Sequence, residues 1–471
     1  LGRALLLGFQ QAAEVLSSNA HGGHLCGHCF SLHRIWVIPM NTLYWLTDDL
    51  RLQDNPTLEA ATKDTTLDFI FCIDDQLFRT DRFGNTRMGT QRWRLLRQSL
   101  LDLRCSLAEC GQTLNLMRGN PREVFGRLLG SGQFDRVVRS RQHASREVAD
   151  WRYVCDQFPR VSFDEYDSST LYQLPSIQFG EVFPATFSQF RRSLDAVEFR
   201  PRVNKPKVLP GPSSFNFDGQ GIEAPDDKSL ITGGATSGMG HLQRYFRTRA
   251  ASTYKETRNY LFGEHFSTGF SPWLALGCLS PTQVFEQLSL YEAAHGANES
   301  TRWILFELMW REFFRWHARH HGATLFEFSG IAGHRPLTTF YRERFLKWCS
   351  GDTPWQIVNA CMNELRETGL LSNRGRQIVA SCLVNELELD WRCGAGYFEE
   401  TLLDYDPCSN WGNWQYIAGV GSDPRGGRHF NLEKQADNWD SDGRYRRRWA
   451  GTRKPGPLDS LDYYDWPQGP P

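Results

Sequence analysis

Three stretches of the sequence gather side chains that could do chemistry. Residues 404–416 read DYDPCSNWGNWQY and place two aspartates, two asparagines and two tryptophans between Asp404 and Tyr416. A loop this rich in flat rings and hydrogen-bonding groups asks for a polar, planar guest. Upstream, LSNRGRQIV (371–379) sets Asn373, Arg374 and Arg376 ahead of an apolar helical pattern. A helical hairpin would bring those arginines to Asp404 and Asp406, and buried charges need such partners. For any one of these residues alone, a structural ion pair explains the sequence equally well.

The second stretch is LFELMWREFFRWHARHHG (305–322). Read as a helix, it puts Glu307, Trp310, Arg311 and Phe314 on one face, a carboxylate, a stacking ring and a guanidinium side by side. A Glu307 to Arg311 helix pair beside a core tryptophan is the plain alternative. Arg315, Arg319, His320 and His321 extend it as a basic end, matching HLQRYFRTR around Arg244, Arg247 and Arg249. Basic groups interleaved with aromatics suit a nucleic-acid strand, and also suit a solvated face. The third is STGFSPWLALGCLSP (267–281). Ser271-Pro272 reads as a capped helix start, and Ser280 with Gln283 as a capping box. Hydroxyls and free amides at Ser267, Thr268 and Ser271 would suit a phosphate.

The elements that must position these groups are legible in outline. From Thr42, short apolar runs (TLYWL, LDFIFCI, QTLNLM, FDRVVRS) alternate with helical segments, which predicts a parallel sheet covered on both faces. The expected fold is thus an α/β N-terminal domain, Rossmann-like but without GxGxxG, since TLYWL runs into TDDLRLQDNP, followed by an all-α C-terminal domain. Prolines at 175, 184, 201, 206, 210, 212 and 225 predict a wrapping connector over 166–230. The expected divisions are 1–39, a leader or non-native extension; 40–165, the α/β domain; 166–230, the connector; 231–450, the helical domain; and 451–471, a Pro/Gly tail.

The chain has 471 residues with Lys+Arg 53 against Asp+Glu 54, so overall charge does not drive nucleic-acid binding and any anionic partner must meet a local patch. Its 16 tryptophans exceed what core packing alone requires. The 12 cysteines form no paired framework, which predicts a reduced, intracellular setting, and no apolar run spans a bilayer. The acid-poor leader reads as a transit segment, which would make the protein organellar rather than cytoplasmic, as a metal tract of His24, Cys26, His28 and Cys29, or as translated upstream sequence before Met40. No second ligand pair follows at finger-like spacing, so no metal is expected. Cys349, Cys361, Cys382, Cys393 and Cys408 lack iron–sulfur spacing.

Taken together, LYWLTDDLRLQDNPTLEAA, YKETRNYLFGEHFSTGFSPWLALGCLSP, LFELMWREFF and the block from SNRGRQIV to RGGRHFN resemble the photolyase and cryptochrome flavoproteins, and within them the DASH-type cryptochromes, from about Thr42 to Trp449. The resemblance implies FAD, with Tyr254, Ser267, Thr268 and Ser271 on its pyrophosphate and Asn373, Arg376, Asp404, Asp406 and Asn410 around its isoalloxazine, Arg376 pairing Asp404 and Asn410 facing N5. Arg311 joins the cofactor set. It implies that Glu307 and Trp310 meet a cyclobutane pyrimidine dimer flipped from UV-damaged DNA, with Gln377, Tyr416 and Arg315 alongside, and that single-stranded damage is preferred because flipping from duplex costs unstacking energy. An electron passes from excited reduced flavin to the dimer and returns. Trp414 and Trp391 would be the near and middle rings through which oxidised flavin is photoreduced, and Glu147 would bind a folate antenna (5,10-methenyltetrahydrofolate). A monomer is expected.

Two positions depart from the DASH pattern. Gly269 stands where a basic residue is usual, and HRPLTTFYRERFLKW offers Thr338, Thr339, Phe340 and Tyr341 at the outer ring position, with Trp348 only further on, so photoreduction would be slow or would use Tyr341 or Trp348. The alternative function is a blue-light photoreceptor without repair turnover; the presence of Glu307 and Trp310, and a chain ending soon after Trp449, favour repair.

Overall fold

A computed structural model describes residues 40–172, 179, 183–195, 197–225, 230–421, 427–450 and 458–459. The expected leader, with its His/Cys tract, and nearly all of the expected tail lie outside the described residues.

Five parallel strands, β1 (Asn41–Leu46), β2 (Thr66–Ile73), β3 (Leu114–Arg118), β4 (Arg136–Ser140) and β5 (Ser162–Tyr166), form one sheet in the order β3-β2-β1-β4-β5. The inner strands β1, β2 and β4 are largely buried, as a parallel sheet covered on both faces requires, the edge strand β5 is only partly so, and helices Thr90–Ala108, Pro121–Gly130 and Ser145–Gln157 pack over the sheet. Asn55 caps helix Pro56–Ala61 through the Leu58 amide, with Pro56 at the first helical position. The strand order reverses between β1 and β4, which opens a crevice at their carboxyl ends.

From Ala235 the described chain is helical as far as Trp449. The Glu299–His321 helix runs through this half, capped by Asn298. Ser280 and Gln283 make the expected capping box on Pro281–His295. The described residues from Met40 onward form one compact unit. Asp54, just past β1, takes a bidentate pair from Arg200 at 2.7 and 2.8 Å and a hydrogen bond from Ser280, tying the sheet, the proline-rich stretch and the helical half together. Fully buried Arg51 donates to the carbonyls of Asp54, Ser168 and Gly277.

Two local readings change. The proline-rich stretch carries helix Phe187–Ser193, closed by a Thr186/Gln189 capping box and buried through Phe187 and Phe190. Pro184 and Pro201 bracket this segment rather than interrupt it. The stretch read as a loop at 404–416 is a helix, Pro407–Ala418. Asp406 is its N-cap, accepting from the Ser409 amide at 2.8 Å, and Pro407 is its first residue, so the residues that suggested a loop are start signals.

Candidate functional site

Helices Asn373–Ser381, Trp391–Thr401 and Pro407–Ala418 enclose a cleft whose empty volume is about 710 Å³ including its mouth. Its walls include Asn373, Arg376, Gln377, Asp404, Asp406, Asn410, Trp414 and Tyr416. Tertiary packing thus joins the two sequence stretches that suggested a planar guest. Arg376 grips Asp404 through both carboxylate oxygens, at 2.9 and 2.8 Å, and its Nε donates to the Leu371 carbonyl. Asn410 donates its amide to the Ala395 carbonyl at 3.0 Å, which leaves Oδ1 as the atom with bonding capacity towards the cleft.

A second charge network backs this wall. Arg315 donates to Asp406 at 2.7 Å and lies 3.7 Å from Asp48 at the end of β1. Burial alone would raise the Asp406 carboxyl; Arg315, Arg311 and the Ser409 amide outweigh it and hold Asp406 below the usual range. Burial, then the neighbouring Arg315 charge, lowers Arg311 to about 10; its guanidinium donates to the carbonyls of Ser169 and Leu274. Arg315, assigned to DNA by resemblance, is therefore corrected: its side chain is only 3% exposed and is spent on Asp406.

Glu307 and Arg311 are not the helix pair that spacing allowed. Glu307 instead pairs with Arg258 at 2.5 Å and accepts from the Trp303 indole at 3.0 Å. Burial raises its pKa against both partners. Nothing in the sequence reading singled out Arg258; it lies four residues, about one helical turn, after Tyr254, whose phenol burial also raises and which feels the Glu307 charge. Trp310 already stacks one face on Phe187, with centroids 3.9 Å apart and planes at 8°. Its side chain and that of Glu307 remain partly exposed.

Ser271 begins helix Ser271–Ala275 rather than capping it, and Ser267 and Ser271 are exposed. His241 accompanies this loop: its Nε2 lies 2.8 Å from the Thr268 carbonyl, and a Cβ on Gly269 would meet it at 3.2 Å. The histidine thus fills the space that Gly269 leaves. Glu147 sits near the crevice between β1 and β4, where burial raises its carboxyl to about 7 and leaves Oε2 without a partner. Trp414 lies over Gly394, where a Cβ would come within 2.3 Å of the indole. Its ring neighbours are Phe398 at 5.1 Å and Trp348 at 6.3 Å, while Trp391 packs on Trp411 at 5.6 Å. Among the described residues no group of acidic, His and Cys side chains could hold a metal ion, and no helix is long and apolar enough to cross a membrane.

The residues present fit a flavin: a cleft lined by rings and polar groups, a guanidinium fixed by a carboxylate, and an amide oxygen with capacity to accept from a ring N–H. Comparison with known proteins agrees. Residues 42–209 match the DNA photolyase model and residues 303–460 the FAD binding domain of DNA photolyase. A Cryptochrome DASH of Idiomarina loihiensis is 45% identical over 90% of this chain and 96% of its own. Another from Arabidopsis thaliana, named as chloroplastic/mitochondrial, is 38% identical over 87% of this chain and 75% of its own. The solved Synechocystis cryptochrome superposes with a TM-score of 0.83 at 35% identity, covering 91% of this chain and 93% of that one.

Proposed function

The chain belongs to the photolyase/cryptochrome family, in its DASH branch, and from that premise we propose that it repairs cyclobutane pyrimidine dimers under blue light, acting on single-stranded DNA in preference to duplex. The observation that carries this reading is the Glu299–His321 helix. At its Arg315 end it braces the flavin wall through Asp406, and about 12 Å away along the axis it presents Glu307, held by Arg258. One rigid element therefore relates the cofactor to the group that would read the lesion.

Bound FAD supplies the chemistry: reduced and excited, it gives an electron that splits the dimer and takes it back. The protein's part is position. Arg376, fixed by Asp404, and the Oδ1 of Asn410 would hold the ring's polar edge. Asp406 is kept ionised by Arg315 and Arg311 and adds a fixed negative charge to the wall. Glu307 would accept hydrogen bonds from the base edges, while Trp310 would offer its partly exposed edge beside Phe187. Gln377 and Tyr416, at the cleft, would line the approach. The unpartnered Oε2 of Glu147 suits a folate antenna with an N–H to donate, in the crevice of residues 40–165. The protein would act as a monomer.

The test is light-dependent repair by chemically reduced protein of one thymine-dimer oligonucleotide, single-stranded and duplex, with dark controls. Single-strand repair supports the proposal. No repair from protein carrying a full complement of reduced flavin would transfer the site to photoreception. Glu307→Gln is expected to lower the repair rate about ten- to a hundredfold, the effect of losing a charge-assisted hydrogen bond of about 1.5 to 3 kcal/mol, with flavin absorption unchanged. Equal loss of flavin would remove Glu307 from the substrate side.

A further inference from the structure

The stretch STGFS (267–271), which the resemblance places on the FAD pyrophosphate, offers hydroxyls but no cation of its own, because Gly269 stands where a basic residue is usual. A side chain from another element occupies that place. His241 belongs to the helix Ala235–Arg247, and the heavy atoms found within 4 Å of where a Gly269 Cβ would sit are its Nε2, at 3.2 Å, and its Cε1, at 3.6 Å. Its Nε2 is 2.8 Å from the Thr268 carbonyl. A carbonyl can only accept, so in the neutral ring Nε2 carries the proton and Nδ1 is left with a lone pair. The ring is held in this pose by stacking on Trp273, with centroids 4.8 Å apart and planes at 27°, and by the edge of Phe270 at 5.7 Å. Burial lowers the His241 pKa; the Thr268 carbonyl opposes that fall, and Arg244 and His265 add to it. Arg244, on the same helix, does not fill the gap, since its guanidinium lies 3.3 Å from where a Gly240 Cβ would sit. His265, on the loop, has Glu264 beside it at 3.5 Å.

Resting on the FAD reading above, we propose that His241 takes up a proton from solvent as FAD binds and supplies, from behind the loop, the positive charge at the diphosphate that Gly269 does not. The proton goes to Nδ1, because Nε2 already holds one against Thr268. The hydrogen bond to the loop is therefore the same in both states and only the charge of the ring changes. Phosphate diesters stay ionised through the neutral range, and an anion placed beside an imidazole raises its pKa. His241 thus has a higher pKa in the FAD-bound protein than in the free one. Binding is then tightest below the free-state value and weakens as the pH rises through the bound-state value. A ring that served packing alone would hold the Thr268 carbonyl equally well at every pH and would leave FAD affinity without this slope.

The test is calorimetric titration of the full chain, stripped of flavin, with oxidised FAD and with riboflavin, which has the same ring system and no phosphate, across a pH series in buffers of different ionisation enthalpy. Wild type, His241→Gln, His241→Lys and His265→Gln are compared, with thermal stability recorded for each so that a misfolded variant is recognised. For wild type the FAD dissociation constant is expected to rise about tenfold from about pH 5 to about pH 8, the factor that follows from a pKa raised by about one unit, with a proton taken up on binding. Riboflavin should show neither effect. His241→Gln can still donate to Thr268 but cannot be charged, so it should bind FAD weakly at every pH and take up no proton. His241→Lys, charged throughout, should bind tightly without the slope, and it stands as a test even if the glutamine variant unfolds. A slope that survives in His241→Gln, that appears equally with riboflavin, or that disappears in His265→Gln overturns the proposal. FAD bound tightly by wild type with no slope overturns the role of His241 and leaves the flavoprotein reading standing; no FAD binding at any pH removes both.

Discussion

At the scale of single residues, the candidate site is a set of charges kept where they would not otherwise stay. Glu147 shows this most directly. Burial lifts its carboxyl from 4.5 to about 7, and Glu399 nearby adds to the rise. The folded protein therefore holds this proton more tightly than the unfolded chain does. The stability that comes with it is full below the unfolded value of 4.5 and is lost as the pH climbs through about 7. Glu147→Gln, which cannot ionise, should be more stable than wild type above neutrality, by on the order of 2 kcal/mol in urea titrations, and the gap should close at acid pH. A gap that widens towards acid would mean the carboxylate is the stabilised form. Glu147 was chosen from the sequence by resemblance alone; its orphaned oxygen is visible only in three dimensions.

At the scale of elements, one side chain starts a helix and closes an ion pair. Asp406 caps Pro407–Ala418 and pairs with Arg315 on the Glu299–His321 helix. Asp406→Asn keeps an oxygen for the Ser409 amide but leaves the Arg315 cation buried without its partner, which should cost about 3 to 5 kcal/mol. Asp406→Ala should cost about 1 kcal/mol more, the value of the cap. Thermal unfolding of the two variants separates these roles, and equal losses would mean that the cap contributes nothing. The sequence named Asp406 and Arg315 as site residues in different roles, because helical spacing says which residues share a face but not which face meets another helix.

At the scale of the whole molecule, Asp54 holds three parts of the chain in one unit. It has a left-handed backbone, with φ of 51°, just after β1, and it is fully buried between Arg200 and Ser280. Removing the carboxylate strands a buried guanidinium, so Asp54→Ala should cost about 3 to 5 kcal/mol in urea denaturation followed by tryptophan fluorescence. Because the same carboxylate also accepts from Ser280 in the helical half, flavin retention should fall with stability. Gly277 marks the same junction: at φ of 63°, a Cβ there would lie 1.8 Å from the Asp48 carbonyl, an approach that only glycine permits.

The sequence by itself determined the parallel sheet, the helical second half, the Ser280 capping box and the family, because periodicity, helix start signals and four separated motifs are local properties of the chain. It also supplied most of the cleft, since Asn373, Arg376, Asp404 and Asn410 stand in two short stretches whose separation suits one hairpin. What it could not determine were partners across long separations in sequence. Arg258 on Glu307, Arg315 on Asp406, Phe187 over Trp310 and Trp348 beside Trp414 join residues between 49 and 123 positions apart. Charge and ring contacts act over a few ångströms and carry no trace in local spacing, so only the packing of helix on helix decided them.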